Sequence, residues 1–241
     1  MPPTIHLVRH AQGVHNLSVE NESIHDPDLT PLGESQCAEL RAAFPSHDRI
    51  TRLVASPLRR TVNTCLLSFG EPRLLPVVAL DCLQEVSDAP CDTGSSKDAL
   101  RAEFGDSIDL ARVSDAWTDK AAGPFEPTLA KLTARGRESR RALREIAKDG
   151  DVVAVSHGGI LHFVTDDWQD IPEGRATGWA NCECRSYQFA DPTGEDEDAA
   201  LVETEESRRR RTTSKPLSGV EKRQMRAVVQ ERMIPYLKIK A

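Results

Sequence analysis

The feature that most constrains the fold is a set of short, nearly continuous apolar runs at residues 5–8, 53–55, 74–80 and 152–155, rich in Val, Ile and Leu and bounded by polar or turn residues. Runs of this length without alternation are the pattern of strands buried on both faces. Helix-like stretches lie between them. Thr30-Pro31 and Ser56-Pro57 each set a capping hydroxyl ahead of a proline suited to the first helical position, which predicts two helix starts. Residues 138–148 place Ala142, Leu143, Ile146 and Ala147 on one face against arginines and glutamates, an amphipathic helix that Asp149-Gly150 closes. Strands alternating with helices predict an α/β three-layer sandwich with a mostly parallel central sheet flanked by helices.

Sheets of this kind bind ligands beyond the carboxyl ends of their strands. The run at 5–8 leads into Arg9-His10, and that at 152–155 into Ser156-His157-Gly158-Gly159. The run at 53–55 leads into Ser56, with Arg60 one turn into the following helix. Three strand ends therefore deliver basic side chains. Residues 86–129, broken by Pro90, Gly94, Gly105, Gly123, Pro124 and Pro127, read as a lid insertion in a domain spanning 1–190. Residues 191–241 read as a charged linker and a C-terminal helix. The acidic run 195–198 and the arginine run 208–211 fit a solvated or disordered stretch. Met225, Val228, Val229 and Met233 then resume helical spacing, which suits a helix that folds back on the core or pairs with a second subunit in a homo-oligomer.

Among 241 residues the net charge is -7, which gives no basic face for nucleic acid, so a small anionic ligand needs a local basic pocket. No apolar run has the length or flanks of a membrane span or secretory signal. Six cysteines without CxxC spacing read as free thiols in a reducing, cytoplasmic setting. Cys182 and Cys184, two apart on an expected strand, offer two metal ligands at most, so no metal site is expected.

The stretch Leu7-Val8-Arg9-His10-Ala11-Gln12-Gly13-Val14-His15-Asn16 resembles the Arg-His-Gly/Ala motif of the histidine phosphatase superfamily, also called phosphoglycerate mutase-like. Ser56-Pro57-Leu58-Arg59-Arg60-Thr61-Val62-Asn63-Thr64 resembles the second element, whose spacing selects Arg60 over Arg59. Ser156-His157-Gly158-Gly159 resembles the third, and Leu29-Thr30-Pro31-Leu32-Gly33-Glu34-Ser35-Gln36 resembles the family's Leu-Thr-x-x-Gly-x-x-Gln helix start. The resemblance covers about residues 4–190. Gly158 stands where the acid phosphatase and phytase branch carries an aspartate, which argues against that branch.

Phosphoryl transfer needs a nucleophile in line with phosphorus, cations on the equatorial oxygens and an acid for the departing alkoxide. By the resemblance His10 is the nucleophile. Arg9 and Arg60 bind phosphate oxygens, His157 stabilises charge as a cation, and Asn16 and the Gly13 backbone assist. Gln12 and His15 are further candidates for the pocket wall. The resemblance places the proton donor after the third strand, at Glu85, with Asp81 and Asp88 as rivals. The remaining histidines read as packing residues, and residues 92–96 as a turn. The implied activity is metal-independent hydrolysis of a small phosphate monoester through phosphohistidine, with no cofactor. Two alternatives stay open: a phosphoglycerate mutase-type transfer, whose Gly-x-x-x-Glu-Gly pattern residues 86–95 lack, and a non-catalytic phosphate-binding regulatory module.

Overall fold

A computed structural model describes residues 2–173, 175, 177–211 and 217–237, with side chains to residue 231. In chain order it runs β1 (Ile5–Arg9), α1 (Pro31–Ala43), β2 (Ile50–Ala55), α2 (Arg59–Phe69), β3 (Val77–Ala79), α3 (Lys97–Phe104) and β4 (Ile108–Asp109). There follow α4 (Leu129–Ile146), β5 (Asp151–Ser156), α5 (Gly158–Thr165), β6 (Cys184–Phe189), β7 (Leu201–Glu203), α6 (Glu205–Arg211) and α7 (Gly219–Leu237).

The seven strands form one sheet in the order β4-β3-β2-β5-β1-β6-β7, in which β6 alone runs against the rest. Every residue of the central β5 is buried. Alternation along it shows why: Val152 and Ala154 pack toward Leu132, Leu143, Ile160 and Leu161 of α4 and α5. Val153 and Val155 pack toward Val62, Cys65 and Phe69 of α2. The apolar run is continuous because each face has its own helical layer.

Parallel register then sets the rim. Arg9 pairs with Ser156 and Ala55 with both Val155 and Ala79. The ladder continues one bond past each end, with His10 N donating to Ser156 O, Ser56 N to Val155 O and Leu80 N to Ala55 O, all at 2.9 Å. Residues 10, 56, 80 and 157 therefore leave the sheet side by side.

Several expectations change in detail. Thr30 caps α1, accepting from Gly33 N at 3.0 Å with Pro31 in the first turn. Ser56 caps nothing; α2 starts at Arg59 behind Leu58, and the Ser56 hydroxyl is committed to His157. The expected strand at 74–80 shrinks to Val77–Ala79, because Pro72–Leu74 coil into a 3-10 turn and Pro76 follows a cis bond. α4 begins at Leu129, nine residues before the apolar face that reveals it. Cys182 lies in a turn at φ +57 rather than on β6, and no group of metal-ligating side chains occurs among the described residues.

The segment from 86 to 128 is woven into the body: β4 extends the sheet beside β3, and Leu100, Ile108, Val113, Trp117 and Phe125 join the buried cluster under α2. The described part of the acidic and arginine-rich stretch also joins the body, where a solvated stretch was expected. β7 pairs with β6, and α6 turns its arginines onto acids. Arg211 bonds Asp167 and Glu203 at 2.7 Å each, and Arg208 lies 3.5 Å from Glu203. Arg209 and Arg210 make only exposed i,i+4 pairs. α7 folds back, packing Met225 and Val229 against the core, while Arg226 pairs with Asp166. The side chain of Met233 lies outside the described residues. No helix among those described is long and apolar enough to cross a membrane.

The ion pairs of α6 make unequal contributions. Arg211→Met should strand the buried Asp167 carboxylate, leave Glu203 with Arg208 as its counterion, and cost roughly 2–4 kcal/mol in urea unfolding. Arg209→Ala should change stability by less than about 0.5 kcal/mol.

Candidate active site

The strand ends converge on a cavity of about 180 Å³ lined by Arg9, His10, His15, Asn16, Glu22, Glu85, Val86, Ser87, Ala89, Cys91, Asp92, Gly158, Gly159 and Thr177. His10 and His157 face one another with ring centroids 5.2 Å apart, and His15 lies 5.3 Å from His10.

The hydrogen bonds fix which nitrogen of each ring carries the proton. His10 Nδ1 is 2.7 Å from Ala11 O, and a carbonyl only accepts, so Nδ1 is the protonated nitrogen and Nε2 keeps its lone pair. His157 is the reverse: Arg60 Nη2, which only donates, is 3.0 Å from Nδ1, so Nε2 carries the proton and gives it to Ser56 Oγ at 2.9 Å. Without a ligand His157 is thus a neutral ring; the cationic form expected of it belongs to the state with a dianion bound. Burial, then the nearby Arg60 guanidinium, pushes both histidines well below their ordinary value of 6.5.

Arg60 is fully buried beneath the cavity. Nη1 donates to Cys91 O at 2.5 Å, and Nη2 reaches Asp92 Oδ1 at 3.1 Å as well as His157. Asp92 also accepts from the Ser87 hydroxyl at 2.6 Å. The run expected to be a plain turn therefore supplies the counterion of the central arginine. Arg9 reaches the cavity wall with Nη1 on Trp179 O at 2.6 Å and its Nε unpartnered.

Glu85 comes from the chain after β3 and lays its carboxyl on the start of α5. Oε1 accepts from Val86 N at 2.9 Å and Ile160 N at 3.0 Å; Oε2 accepts from Gly159 N at 3.1 Å and has a lone pair left for a proton. A Cβ at Gly159 would sit 2.6 Å from Oε1, so the second glycine after His157 clears room for this carboxyl. Burial and the neighbouring Asp92 charge push Glu85 up, which favours its protonated form. Of the rivals, Asp81 accepts from Ser114 N at 2.8 Å, and neither it nor Asp88 lines the cavity, whereas Glu85 does; Arg60 and His157 lie behind the lining residues.

Asn16 and Gly13 act on the loop. Asn16 Oδ1 accepts from Gly13 N at 3.0 Å, and its amide reaches His15 Nε2 at 3.0 Å, so it shapes the turn while lining the cavity. Gln12 is braced from α1: its N–H donates to Gln36 Oε1 at 2.9 Å, and its Oε1 accepts from Thr30 Oγ1 at 2.8 Å. Gly33 has the Gln12 carbonyl 2.2 Å from where a Cβ would stand. The Leu-Thr-x-x-Gly-x-x-Gln start is thus a cradle for the loop that carries His10.

Sequence reasoning passed over Ser87, Lys120 and Arg135, since single polar residues in loops and helices carry no pattern, and it read Ser56 as a helix cap and Asp92 as part of a turn. The remaining histidines bond within the protein: His6 bonds Ser186 Oγ at 2.9 Å, and His162 bonds Asp167 O at 2.7 Å. His25 bonds Gly94 O at 3.1 Å, and His47 bonds Arg41 O at 2.8 Å.

Comparison with known proteins places most of the chain in one family. The family model described as histidine phosphatase superfamily (branch 1) matches residues 5–198. A phosphoglycerate mutase-like protein of Arabidopsis thaliana is 29% identical over 235 residues, covering 78% of this chain and 84% of its own. Among solved structures, an ecdysone phosphate phosphatase from Bombix mori superposes with TM-score 0.57 at 17% identity, covering 90% of this chain and 96% of its own. A phosphoserine phosphatase from Entamoeba histolytica gives 0.52 at 15%, covering 83% and 94%. At these identities the two structures speak to the fold alone.

The buried histidines have a consequence for stability. Burial lowers His6 and His162 to about 4 and His15 to about 2, and His10 and His157 are lowered too. The unfolded chain, whose histidines titrate near 6.5, binds more protons than the folded one below that pH. Unfolding free energy should therefore fall from about pH 7 to about pH 5, by up to about 1.4 kcal/mol per pH unit for each such histidine. Denaturant titrations across this range that gave a flat profile would refute the neutral assignment.

Proposed function

The chain belongs to branch 1 of the histidine phosphatase superfamily, and we propose that it hydrolyses a small phosphate monoester through a phosphohistidine on His10, without metal or organic cofactor. The observation that carries the proposal is the opposed tautomers: His10 is held with Nε2 unprotonated by the Ala11 carbonyl, and is therefore a nucleophile at neutral pH without needing a base.

In the proposed cycle His10 Nε2 attacks phosphorus while Arg9 binds the equatorial oxygens. An entering dianion raises the proton affinity of His157. A proton drawn from solvent onto its Nδ1 turns that face from acceptor to donor and releases Arg60 Nη2 toward the phosphate, and it returns to solvent when phosphate departs. As the bridging P–O bond breaks, Glu85 passes its proton to the leaving alkoxide. The resulting carboxylate then takes a proton from water, whose oxygen attacks the phosphohistidine. Phosphate leaves, and His10 and Glu85 regain their starting states. The substrate is small in this reading, because the cavity is small and partly roofed by Ser87, Ala89 and Cys91.

The test is phosphate release from an aryl phosphate and a panel of alkyl phosphates in the presence of a chelator. Wild type should turn over, and His10→Ala should lose at least about 10³-fold in kcat. Acid-quenched wild type should carry an acid-labile phosphoryl group that the variant lacks. A fully active His10→Ala protein, or activity that the chelator abolishes, would overturn the route.

A further inference from the structure

Two basic side chains are buried beside the cavity with no carboxylate bonded to either among the described residues. Lys120, in the segment before α4, is 5% exposed, and its Nζ donates to the main-chain carbonyls of Glu85 at 3.2 Å and Ser87 at 3.1 Å. Arg135 of α4 is 2% exposed and sends Nη2 to the carbonyls of Gln84 at 2.8 Å and Glu85 at 3.0 Å; its Nε and Nη1 have no partner. No ion pair between either side chain and a carboxylate occurs among the described residues. Burying an ammonium or guanidinium on carbonyls alone costs several kcal/mol, and both converge on the carbonyl of one residue, Glu85.

What they grip is the short chain from Gln84 to Ser87. At one end its Glu85 side chain reaches over to α5, and at the other Ser87 holds Asp92, the counterion of Arg60. Lys120 joins the two ends across a single nitrogen. It comes from the same segment as Trp117, whose ring is buried in the core and whose carbonyl accepts from Gln84 Nε2 at 3.1 Å. The clamp is therefore anchored at both sides.

We propose that Lys120, backed by Arg135, is a positioning residue for proton transfer by Glu85: by fixing the main chain on either side of that residue it aims the carboxyl at the bridging oxygen of the substrate. The inference rests on the reading of Glu85 as proton donor. The step it serves is the one already balanced above, in which the Glu85 proton goes to the bridging oxygen as its bond to phosphorus breaks and the His10 Nε2–P bond forms. The charged groups around the Glu85 carboxyl are Arg9 from β1, Arg60 from α2 and Asp92, with the N–H groups of α5 bonded to its oxygens; Lys120 and Arg135 hold its main-chain carbonyl and lie within reach of its charge.

The experiment uses the full chain and compares kcat/KM, which reports phosphorylation of the enzyme, on 4-nitrophenyl phosphate and on an alkyl phosphate. The aryl group departs without a proton and the alkoxide does not. Lys120→Met should lose roughly 10–100-fold on the alkyl ester and less than about 3-fold on the aryl ester. Lys120→Arg should recover part of the loss, and Arg135→Lys should show the same selectivity more weakly. Thermal midpoints are read alongside, and Arg135→Lys carries the test if Lys120→Met does not fold. Equal losses on both esters, or none, would overturn the inference while Glu85→Gln still shows the alkyl-selective loss. A Glu85→Gln variant with no such selectivity would instead overturn the donor assignment on which it rests.

Discussion

The register between β1 and β5 is the constraint from which the site follows. Arg9 lies opposite Ser156, and the bond from His10 N to Ser156 O carries the ladder one step beyond the strands. A slip of one residue would turn His10 or His157 to the other face of the sheet, since side chains alternate with period two. The register is pinned by that same alternation, because Val152 and Ala154 belong to one buried layer and Val153 and Val155 to the other. Core packing thereby sets the separation of the two rings, and no loop has to find it.

Electrostatics then divide the labour between two chemically identical side chains. His10 and His157 are both buried and both beside Arg60, so desolvation and repulsion keep both neutral. Their partners differ: a carbonyl that must accept for one, a guanidinium that must donate for the other. The result is one ring with its proton on Nδ1 and one with its proton on Nε2. Asp92 completes the balance by holding Arg60 from above and by raising the proton affinity of Glu85.

Much of this was legible in the sequence for a physical reason. Apolar runs report burial on two faces, strand ends report where a ligand lies, and His10, Arg60 and His157 stand at or just past those ends. Gly159, Gly33 and Gln36 were visible as parts of motifs, and the close approaches they permit explain the spacing. The capping pattern at Ser56-Pro57 misled because a hydroxyl at a strand end has two uses, and here the buried histidine takes it. The fate of the arginines at 208–211 was illegible for a different reason. Their acids, Asp167 and Glu203, come from a loop and an edge strand that only the folded chain brings near. Lys120 and Arg135 belong to the same class, since their partners are main-chain carbonyls, which leave no trace in side-chain patterns.

The segment that roofs the cavity is also structural timber. It adds β4 to the sheet and sends Leu100, Val113 and Trp117 into the core. A lineage altering its choice of ester would have to change residues that are held between the cavity and that buried layer, so each step toward a new substrate would draw on thermodynamic margin. Divergence of specificity in such a protein would proceed through compensated pairs of substitutions, one facing the ligand and one restoring the packing behind it, rather than by free exchange of a loop.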